Sequence, residues 1–315
     1  MASTKDLRIV FMGTPEFAVA PLDALVNAGC NIVAVITAPD KPAGRGMQLQ
    51  QSAVKKYAIE KNLPFLQPEK LKDQAFIEEL KLLKADVQVV VAFRMLPEIV
   101  WSMPALGTIN VHASLLPKYR GAAPINWAII NGEKETGITT FKLQQQIDTG
   151  NILMQEKISI DENETAGELH DRLKILGANV LVKTIQSIAV GNIKEQPQNL
   201  IDDSELAIKT APKIHTDTCK IDWNNKADDI FNLIRGLSPY PTAFTYLDDK
   251  ALKIYFGTKE ICMHHFDNGS VHSNGKSFLK FACADGFIHC TDIQLQGKKR
   301  MLIEDFLRGY RINSY

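Results

Sequence analysis

The sequence predicts an α/β fold in which a mostly parallel, doubly wound (Rossmann-like) domain precedes a small β-barrel domain of the OB-like type. Strand-like and helix-like segments alternate through the first part of the chain, which is typical of a parallel sheet with helices on both faces. Short β-rich runs follow a polar stretch at residues 191–209. The length of 315 residues exceeds that of a usual single domain, so we expect two domains.

The first strand of the predicted sheet covers Leu7–Met12 and ends at Gly13. Thr14 is typical of a helix N-cap, with Pro15 at the first helical position, and Gly29 ends that helix. Strands and helices then continue to alternate, with strands expected at Asn31–Thr37, Phe65–Leu66, Asp86–Phe93 and Thr108–Ala113 and helices at Ser52–Asn62 and Asp73–Lys84.

The period of the sequence changes from Thr136, where β-branched residues alternate with other types. Two strands and a long helix are expected there, at Thr136–Leu143, Ile152–Ile160 and about Thr165–Val190. We therefore expect a first domain at 1–190, a linker at 191–209 and an OB-like domain at 210–315. The last domain should contain one amphipathic helix at Asn224–Gly236 and strands at Ala243–Tyr246, Leu252–Phe256, Phe278–Cys283 and Gly286–Gln294.

Composition excludes several classes of protein. The 36 basic and 36 acidic residues give a net charge of zero, so any contact with nucleic acid must come from a local patch. No apolar run approaches the ~20 residues that cross a membrane, and no basic leader with an apolar core precedes the first strand. The five cysteines contain no Cys-x-x-Cys pair, which favours reduced thiols and a cytoplasmic location.

A metal site is not expected. Cys262, His264 and His265 lie close together in the sequence, and His289 and Cys290 are adjacent. Neither group has the spacing of a zinc finger or knuckle, and the domain is large enough to fold without a metal.

The densest group of chemically competent residues lies at the end of the predicted strand Thr108–Ala113. Asn110 and His112 are two apart, so their side chains leave the same face of the sheet at its carboxyl edge, where open α/β sheets bind ligands. An amide beside an imidazole can stabilise an oxyanion and move a proton. A lone histidine at a strand end is usually structural, but its pairing with Asn110 favours a functional role.

Asp148 lies in the turn between the two β-branched runs, within Gln146–Gly150. A carboxylate against an imidazole would orient the ring and stabilise its positive charge. The alternative is that Asp-Thr-Gly simply forms a hairpin turn, a role that suits these residues well.

Together, the Asn-x-His strand, the Ser-Leu-Leu-Pro loop after it and the Asp-Thr-Gly turn resemble the folate-dependent formyltransferases. The resemblance is closest to the branch of the family that formylates methionyl initiator tRNA, and it runs nearly end to end. The segments that carry this closer resemblance are Gly13–Phe17, Pro39–Gly46, Arg120–Pro124 and Arg235–Pro241.

The resemblance implies that Asn110, His112 and Asp148 are catalytic, and that 10-formyltetrahydrofolate donates the formyl group directly to an amine without a metal. It also implies a folate site on two loops at the end of the sheet and on the loop after the catalytic strand. The folate-binding residues would be Phe93, Arg94, Met95, Leu96, Ser114, Leu115, Leu116, Pro117, Gln145, Gln146 and Ile147. For Met95 and Leu96, a role as ordinary core residues remains an equal alternative.

The same resemblance implies that tRNA is contacted by both domains. Lys41 and Arg45 lie in the loop that would reach the acceptor stem. In the C-terminal domain, the concentrated positive charge of Lys298, Lys299 and Arg300 makes this run a candidate phosphate contact. The alternatives are a solvated loop and a solvated turn.

Other functions remain open at this point. A related enzyme could formylate a small-molecule amine or transfer the formyl group to water, with release of formate. A non-catalytic RNA-binding protein could retain the fold. We expect a monomer with no membrane contact, because the sequence contains no heptad seam or membrane-spanning run.

Overall fold

The computed structural model describes residues 4–43, 48–198 and 209–312. The strands are β1 (Arg8–Gly13), β2 (Asn31–Ile36), β3 (Lys41–Ala43), β4 (Gln48–Gln50), β5 (Phe65–Leu66), β6 (Val87–Val91), β7 (Thr108–His112), β8 (Arg120–Gly121), β9 (Glu135–Lys142), β10 (Ile152–Ser159), β11 (Thr210–Ala211), β12 (Ala243–Leu247), β13 (Lys250–Ile261), β14 (Val271–Ser273), β15 (Leu279–Cys283), β16 (Gly286–Leu295) and β17 (Met301–Leu302). The helices are α1 (Val19–Asn27), α2 (Ala53–Glu60), α3 (Gln74–Leu82), α4 (Glu98–Trp101), α5 (Pro124–Ile130), α6 (Ala166–Ala189), α7 (Ala227–Leu237) and α8 (Ile303–Gly309).

A seven-stranded sheet forms the centre of the first part of the chain, in the order β10-β9-β7-β6-β1-β2-β5. The strands from β7 to β5 are all parallel to their neighbours, whereas β9 runs antiparallel to β7. Strand β6 is buried along its whole length, as expected for a central strand covered on both faces. The predicted doubly wound sheet is confirmed.

By their internal contacts the residues form two compact units. The first unit comprises the described residues within Met1–Gly121, Thr136–Ile158 and His170–Thr210. The second comprises those within Ala122–Glu135, Ser159–Leu169 and Ala211–Tyr315.

The second unit is built on an antiparallel sheet in the order β12-β13-β16-β15-β14, with β17 paired to β16. Helices α7 and α8 contribute buried side chains such as Phe231, Ile234 and Phe306 to its core. This curved, half-barrel sheet confirms the predicted small β-rich domain.

The arginine and the glycine that begin the Arg235–Pro241 motif both have a packing role inside the second unit. A Cβ on Gly236 would lie 2.6 Å from Ile130, so only glycine lets α7 approach α5 this closely. The buried guanidinium of Arg235 donates to the carbonyl oxygens of Asp161 and Glu164 at 3.4 and 3.2 Å. Both residues are therefore needed for packing.

The predicted N-cap at Thr14 is wrong. A short 3₁₀ helix at Glu16–Ala18 precedes α1, and Pro15 stands before it without any side-chain cap. The reason is a tight turn after β1, where a Cβ on Gly13 would lie 2.7 Å from that of Ala18. The expected loop after β2 also differs, because β3 and β4 form a hairpin in which Lys41 pairs with Gln50.

Some of the other elements were predicted from the sequence and some were not. Ser52 begins α2 as expected, since its Oγ accepts the N–H of Lys55 at 3.0 Å. Helix α7 begins at Ala227 rather than Asn224. The elements that the sequence did not predict are β3, β4, β8, β11, β14, β17, α4, α5 and α8. Within the described residues no helix is long and apolar enough to span a membrane.

Candidate active site

Strand β7 carries Asn110 and His112 to the carboxyl edge of the first unit's sheet. Asn110 pairs with Val90 on one side and Phe141 on the other, so it stands inside the sheet. His112 is the last residue of the strand and is only 7% exposed. The imidazole and the Phe141 ring are nearly perpendicular, with 6.4 Å between ring centroids. The ring is therefore fixed by packing.

The loop after β7 is held by hydrogen bonds around Ser114. The Ser114 Oγ donates to the carbonyl oxygen of Lys118 at 2.7 Å, and the Ser114 carbonyl accepts from the Thr139 hydroxyl at 2.6 Å. Thr139 also accepts the N–H of Leu116 at 3.1 Å. Ser114 is fully buried, and its hydroxyl and its carbonyl group are both used to hold the loop.

His112 and Asp148 come together. The Nε2 atom of His112 lies 2.9 Å from the carbonyl oxygen of Tyr119, which can only accept, so Nε2 carries a hydrogen. The other ring nitrogen, Nδ1, faces the Oδ2 of Asp148 at 4.0 Å. Nδ1 is therefore the ring nitrogen on the side of the carboxylate.

The Asp148 carboxylate is held by the backbone. Its Oδ2 accepts the N–H of Gly121 at 2.9 Å, and the residue is 9% exposed. Asp148 has a φ of +54°, in the left-handed region that aspartate tolerates better than most residues. Two residues later, a Cβ on Gly150 would lie 1.6 Å from the Lys142 carbonyl oxygen, so no side chain fits there.

Sequence reasoning missed one buried polar residue of this region. Gln198, in the expected linker, is 5% exposed and donates to the carbonyl oxygens of Asp148 and Gly150 at 2.9 and 2.8 Å. Its Oε1 accepts two N–H groups of Arg120, at 3.1 and 2.6 Å. The hydrophobic pattern of the sequence does not indicate that Gln198 is buried, because the surrounding segment is polar and has no period.

The expected folate residues lie on three segments of the first unit. Met95 is 74% exposed and Ile147 59% exposed, whereas Leu96 is 8% exposed and packs in the core with Val100. Gln145 and Gln146 are exposed as well. The rest of the set is half-buried or buried, and comprises Phe93, Arg94, Ser114, Leu115, Leu116 and Pro117.

Arg94 is fixed in its conformation. Its guanidinium donates to the carbonyl oxygens of Pro68 and Glu69, the latter at 2.8 Å, and its Nε has no hydrogen-bond partner. Burial lowers the pKa of the Arg94 guanidinium. The side chain lies beside the ring of Phe93, 5.4 Å from the ring centroid.

A cavity of about 620 Å³ opens at the carboxyl ends of β1, β2 and β6. Its walls are the loops that follow these strands and β5, with Thr14, Asp40, Glu69 and Arg94 among the polar residues. Strand β6 also pairs with β7 at Asn110, so the cavity opens on the same edge of the sheet as the His112–Asp148 pair. Its size suits a small organic group.

The hairpin of β3 and β4 begins at this cavity. Asp40 accepts from Lys55 Nζ and Gln67 Nε2 at 2.6 and 2.8 Å. These hydrogen bonds, first that of Lys55, lower the pKa of the Asp40 carboxyl. Lys41 lines the cavity, whereas Arg45 lies outside the described residues.

The basic run of the second unit divides into two parts. Lys298 and Lys299 are exposed. Arg300 pairs with Asp292 at 2.6 Å and lies over the ring of Tyr255, 4.1 Å from its centroid. The hydrogen bond with Asp292 raises the pKa of the Arg300 guanidinium, and its charge is already compensated.

One group of metal-ligand side chains occurs among the described residues. Glu16, His170 and Asp171 each offer a ligand atom, all within 4.8 Å of one another. The ammonium of Lys174 already pairs with Glu16 and Asp171, at 2.8 and 3.0 Å. A cation would have to displace it.

Two family models match this chain. The model described as formyl transferase matches residues 7–185, and the model described as formyl transferase, C-terminal domain, matches residues 213–311. The chain belongs to the formyl transferase family. The N-terminal match contains Asn110, His112 and Asp148, and the C-terminal match contains the antiparallel sheet from β12 to β17.

Curated members of the formyl transferase family resemble the chain over nearly its whole length. The methionyl-tRNA formyltransferase of Parabacteroides distasonis is 54% identical, with 98% of this chain and 97% of that protein covered. That of Flavobacterium johnsoniae is 52% identical, with 96% of both covered. An N-formyltransferase from Helicobacter canadensis, solved with folinic acid and dTDP-3-aminofucose, has the same fold with a TM-score of 0.65 at 21% identity, over 90% of this chain and 98% of that one.

Proposed function

We propose that this formyl transferase moves the formyl group of 10-formyltetrahydrofolate to the amino group of methionyl initiator tRNA, for use in translation initiation. The proposal is supported by methionyl-tRNA formyltransferases that are 50 to 54% identical in sequence to this chain over nearly its full length. The structural observation that carries the chemistry is the buried His112–Asp148 pair beside Asn110. Formyl transfer to a small-molecule amine or to water is not favoured, because the methionyl-tRNA formyltransferases are 54% and 52% identical to the chain, whereas the N-formyltransferase solved with dTDP-3-aminofucose is 21% identical.

The proposed chemistry is a direct transfer. The amino nitrogen bonds to the formyl carbon, whose oxygen becomes an oxyanion, and the bond from that carbon to N10 of the folate then breaks. The amide N–H of Asn110 and the Nδ1–H of His112 stabilise the oxyanion. The amine loses one proton to water, and N10 gains one from Nδ1 of the charged ring, which solvent then reprotonates. Nδ1 is the donor because Nε2 is engaged by Tyr119.

In this proposal the folate lies on the loops that end β6 and β9. The exposed residues Met95 and Ile147 supply apolar surface to the pterin, and backbone groups beside Gln145 and Gln146 supply hydrogen bonds. The other expected residues act as the wall behind them, namely Phe93, Arg94, Leu96, Ser114, Leu115, Leu116 and Pro117.

We assign the cavity beside β1 and β2 to the end of the acceptor. Lys41 of the hairpin, together with Arg45, would contact the acceptor stem, and Lys298, Lys299 and Arg300 would contact phosphates elsewhere on the tRNA. We further propose a functional division into a catalytic domain (1–190), a linker (191–209) and a tRNA-binding domain (210–315). It differs from the compact units, which place 122–135 and 159–169 with the C-terminal part of the chain. We also propose that the enzyme acts as a monomer in the cytoplasm, where its five free cysteines stay reduced.

The test is an assay of formyl-methionine from 10-formyltetrahydrofolate with methionine-charged initiator tRNA, with charged elongator tRNA alongside. Formylation of the initiator alone is the expected result. Consumption of the folate without formylation of either tRNA would reject the acceptor and direct the search to small amines and to water, for which formate release is the readout.

Replacing His112 by Ala tests the mechanism. We expect kcat to fall by at least about 10²-fold, because the proton-exchanging group is lost, while the KM for tRNA changes little. Unchanged activity of this variant would remove the mechanism and favour a non-catalytic role for the site.

A further inference from the structure

We propose that Gln198 is a positioning residue that holds Asp148 in its active place, with Arg120 as the residue that orients Gln198. This inference rests on the proposed function, since it takes Asp148 to be part of the catalytic trio. Gln198 follows α6 and takes no part in any step of the proposed formyl transfer, so its role would be to position Asp148.

All the hydrogen-bonding groups of the Gln198 amide are engaged. Its Nε2 donates both hydrogens, to the carbonyl oxygens of Asp148 and Gly150, and its Oε1 accepts the fork of Arg120. The partners fix which way the amide points, because two carbonyls require donors and a guanidinium requires an acceptor. With 5% exposure, the amide is also shielded from competing water.

The contacts form a closed ring around the catalytic carboxylate. The Gly121 N–H binds the Asp148 side chain at 2.9 Å, while Arg120, the residue before it, reaches the Asp148 backbone through Gln198. Tyr119, next in line, binds His112 at 2.9 Å. Three consecutive residues therefore fix both members of the His112–Asp148 pair, and Gln198 closes the ring.

The backbone of Asp148 needs such support. Its φ of +54° is an unfavourable conformation for a residue with a side chain, and the surroundings must hold it there. The Gln198 amide donates to the carbonyl oxygens of Asp148 and Gly150, on both sides of Thr149. It therefore holds the part of the turn whose backbone would otherwise change conformation. Loss of the grip would move a carboxylate that stands 4.0 Å from His112.

Two variants separate the donor and acceptor functions of Gln198. Gln198→Met removes both and keeps the length of the side chain, whereas Gln198→Glu keeps the pairing with Arg120 and loses the two donors. We expect kcat to fall on the order of 10²-fold in both, with the KM for tRNA little changed, because an error of about 1 Å in a catalytic group has that effect. Wild-type kcat in Gln198→Glu would overturn the proposal.

A double-mutant cycle distinguishes positioning from general support of the fold. If Gln198 acts through Asp148, then Gln198→Met should change kcat by no more than about twofold in an Asp148→Asn background. A merely structural role would lower kcat by the same factor in both backgrounds, which would overturn the proposal. Thermal melting of each variant shows that the chains compared are folded.

Glu195→Gln is the matched control. Glu195 lies in the same segment and binds both sides of the Asp148 turn, through Lys142 of β9 and Asn151 just before β10, at 2.5 and 3.0 Å; neither of these contacts is to Asp148. We expect its kcat to stay near wild type, and an equal loss in Glu195→Gln and Gln198→Met would contradict a specific role. If Asp148→Asn itself keeps full activity, the proposed trio fails; if it is impaired while Gln198→Met is not, only this inference fails.

Discussion

Individual residues of the site are held by main-chain groups more than by one another. His112 is fixed by the Tyr119 carbonyl and Asp148 by the Gly121 N–H, while their mutual distance is 4.0 Å. Such a site depends on the exact course of two loops, and any residue that sets that course matters. Gly150 is the clearest example, because a Cβ added there would lie 1.6 Å from the carbonyl oxygen of Lys142.

Gly150→Ala should therefore abolish most of the activity. The added methyl group would lie 1.6 Å from the Lys142 oxygen, so the turn that carries Asp148 must move, and we expect kcat to fall on the order of 10²-fold. The measurement is formyl transfer with initiator tRNA. Gly309→Ala is the control, since nothing lies within 4 Å of the Cβ that it adds; equal effects of the two changes would contradict the steric argument.

At the scale of elements, the loops that surround the site are tied to the sheet by polar anchors. Asp40 joins the base of the β3–β4 hairpin to Lys55 on α2. Ser52 caps α2 and also bonds the Thr37 hydroxyl at 2.7 Å, just after β2. Helix α2 is thus anchored at the end that faces the hairpin.

Ser52→Ala should lower the free energy of unfolding by about 1 kcal/mol, because the N–H of Lys55 loses its acceptor. Asp73→Ala is a matched control, since Asp73 stands at the same position of α3 without a side-chain cap. Denaturant unfolding measures both, and the interpretation fails if Asp73→Ala destabilises the protein as much as Ser52→Ala.

The sheet of the second unit contains a pH-sensitive link between strands. Glu260 on β13 pairs with His289 on β16 and Lys280 on β15, at 2.6 and 2.9 Å. These hydrogen bonds, first that of His289, lower the pKa of the Glu260 carboxyl from 4.5 to about 2. A lowered pKa means that the link stabilises the fold above pH 4.5 and is lost as the pH falls from 4.5 towards 2.

Glu260→Gln should remove that part of the acid sensitivity. The variant should melt at a lower temperature than wild type at neutral pH. The difference between the two melting temperatures should become smaller as the pH falls below 4.5. Thermal melting between neutral pH and pH 3 measures it. A gap that stays constant over this range would show that the charge of Glu260 contributes nothing.

At the scale of the whole molecule, a chain with no net charge must bind tRNA through local patches. The basic run of the second unit is not uniform. Lys298 and Lys299 are exposed, whereas Arg300 is engaged by Asp292 and Tyr255. The two lysines are therefore better suited to phosphates than the arginine beside them.

Replacing Lys298 and Lys299 together by Ala should raise the KM for tRNA and make it less dependent on salt. Each lost phosphate contact reduces the slope of log affinity against log salt by about 0.7 to 0.9. Titration of activity with salt measures the slope, and kcat at saturating tRNA should not change. A slope equal to that of wild type would exclude these lysines from the tRNA contact.

The sequence by itself predicted the alternating strands and helices of the doubly wound sheet and placed Asn110 and His112 together at the end of β7. Buried parallel strands are apolar throughout, and the spacing of Asn110 and His112 fixes their shared face. Only the tertiary structure decided that β9 runs antiparallel to β7, that α5 belongs to the second unit, and that Gln198 binds the Asp148 turn. The physical reason is that periodicity records burial along one segment, whereas these features depend on hydrogen bonds between segments far apart in the chain.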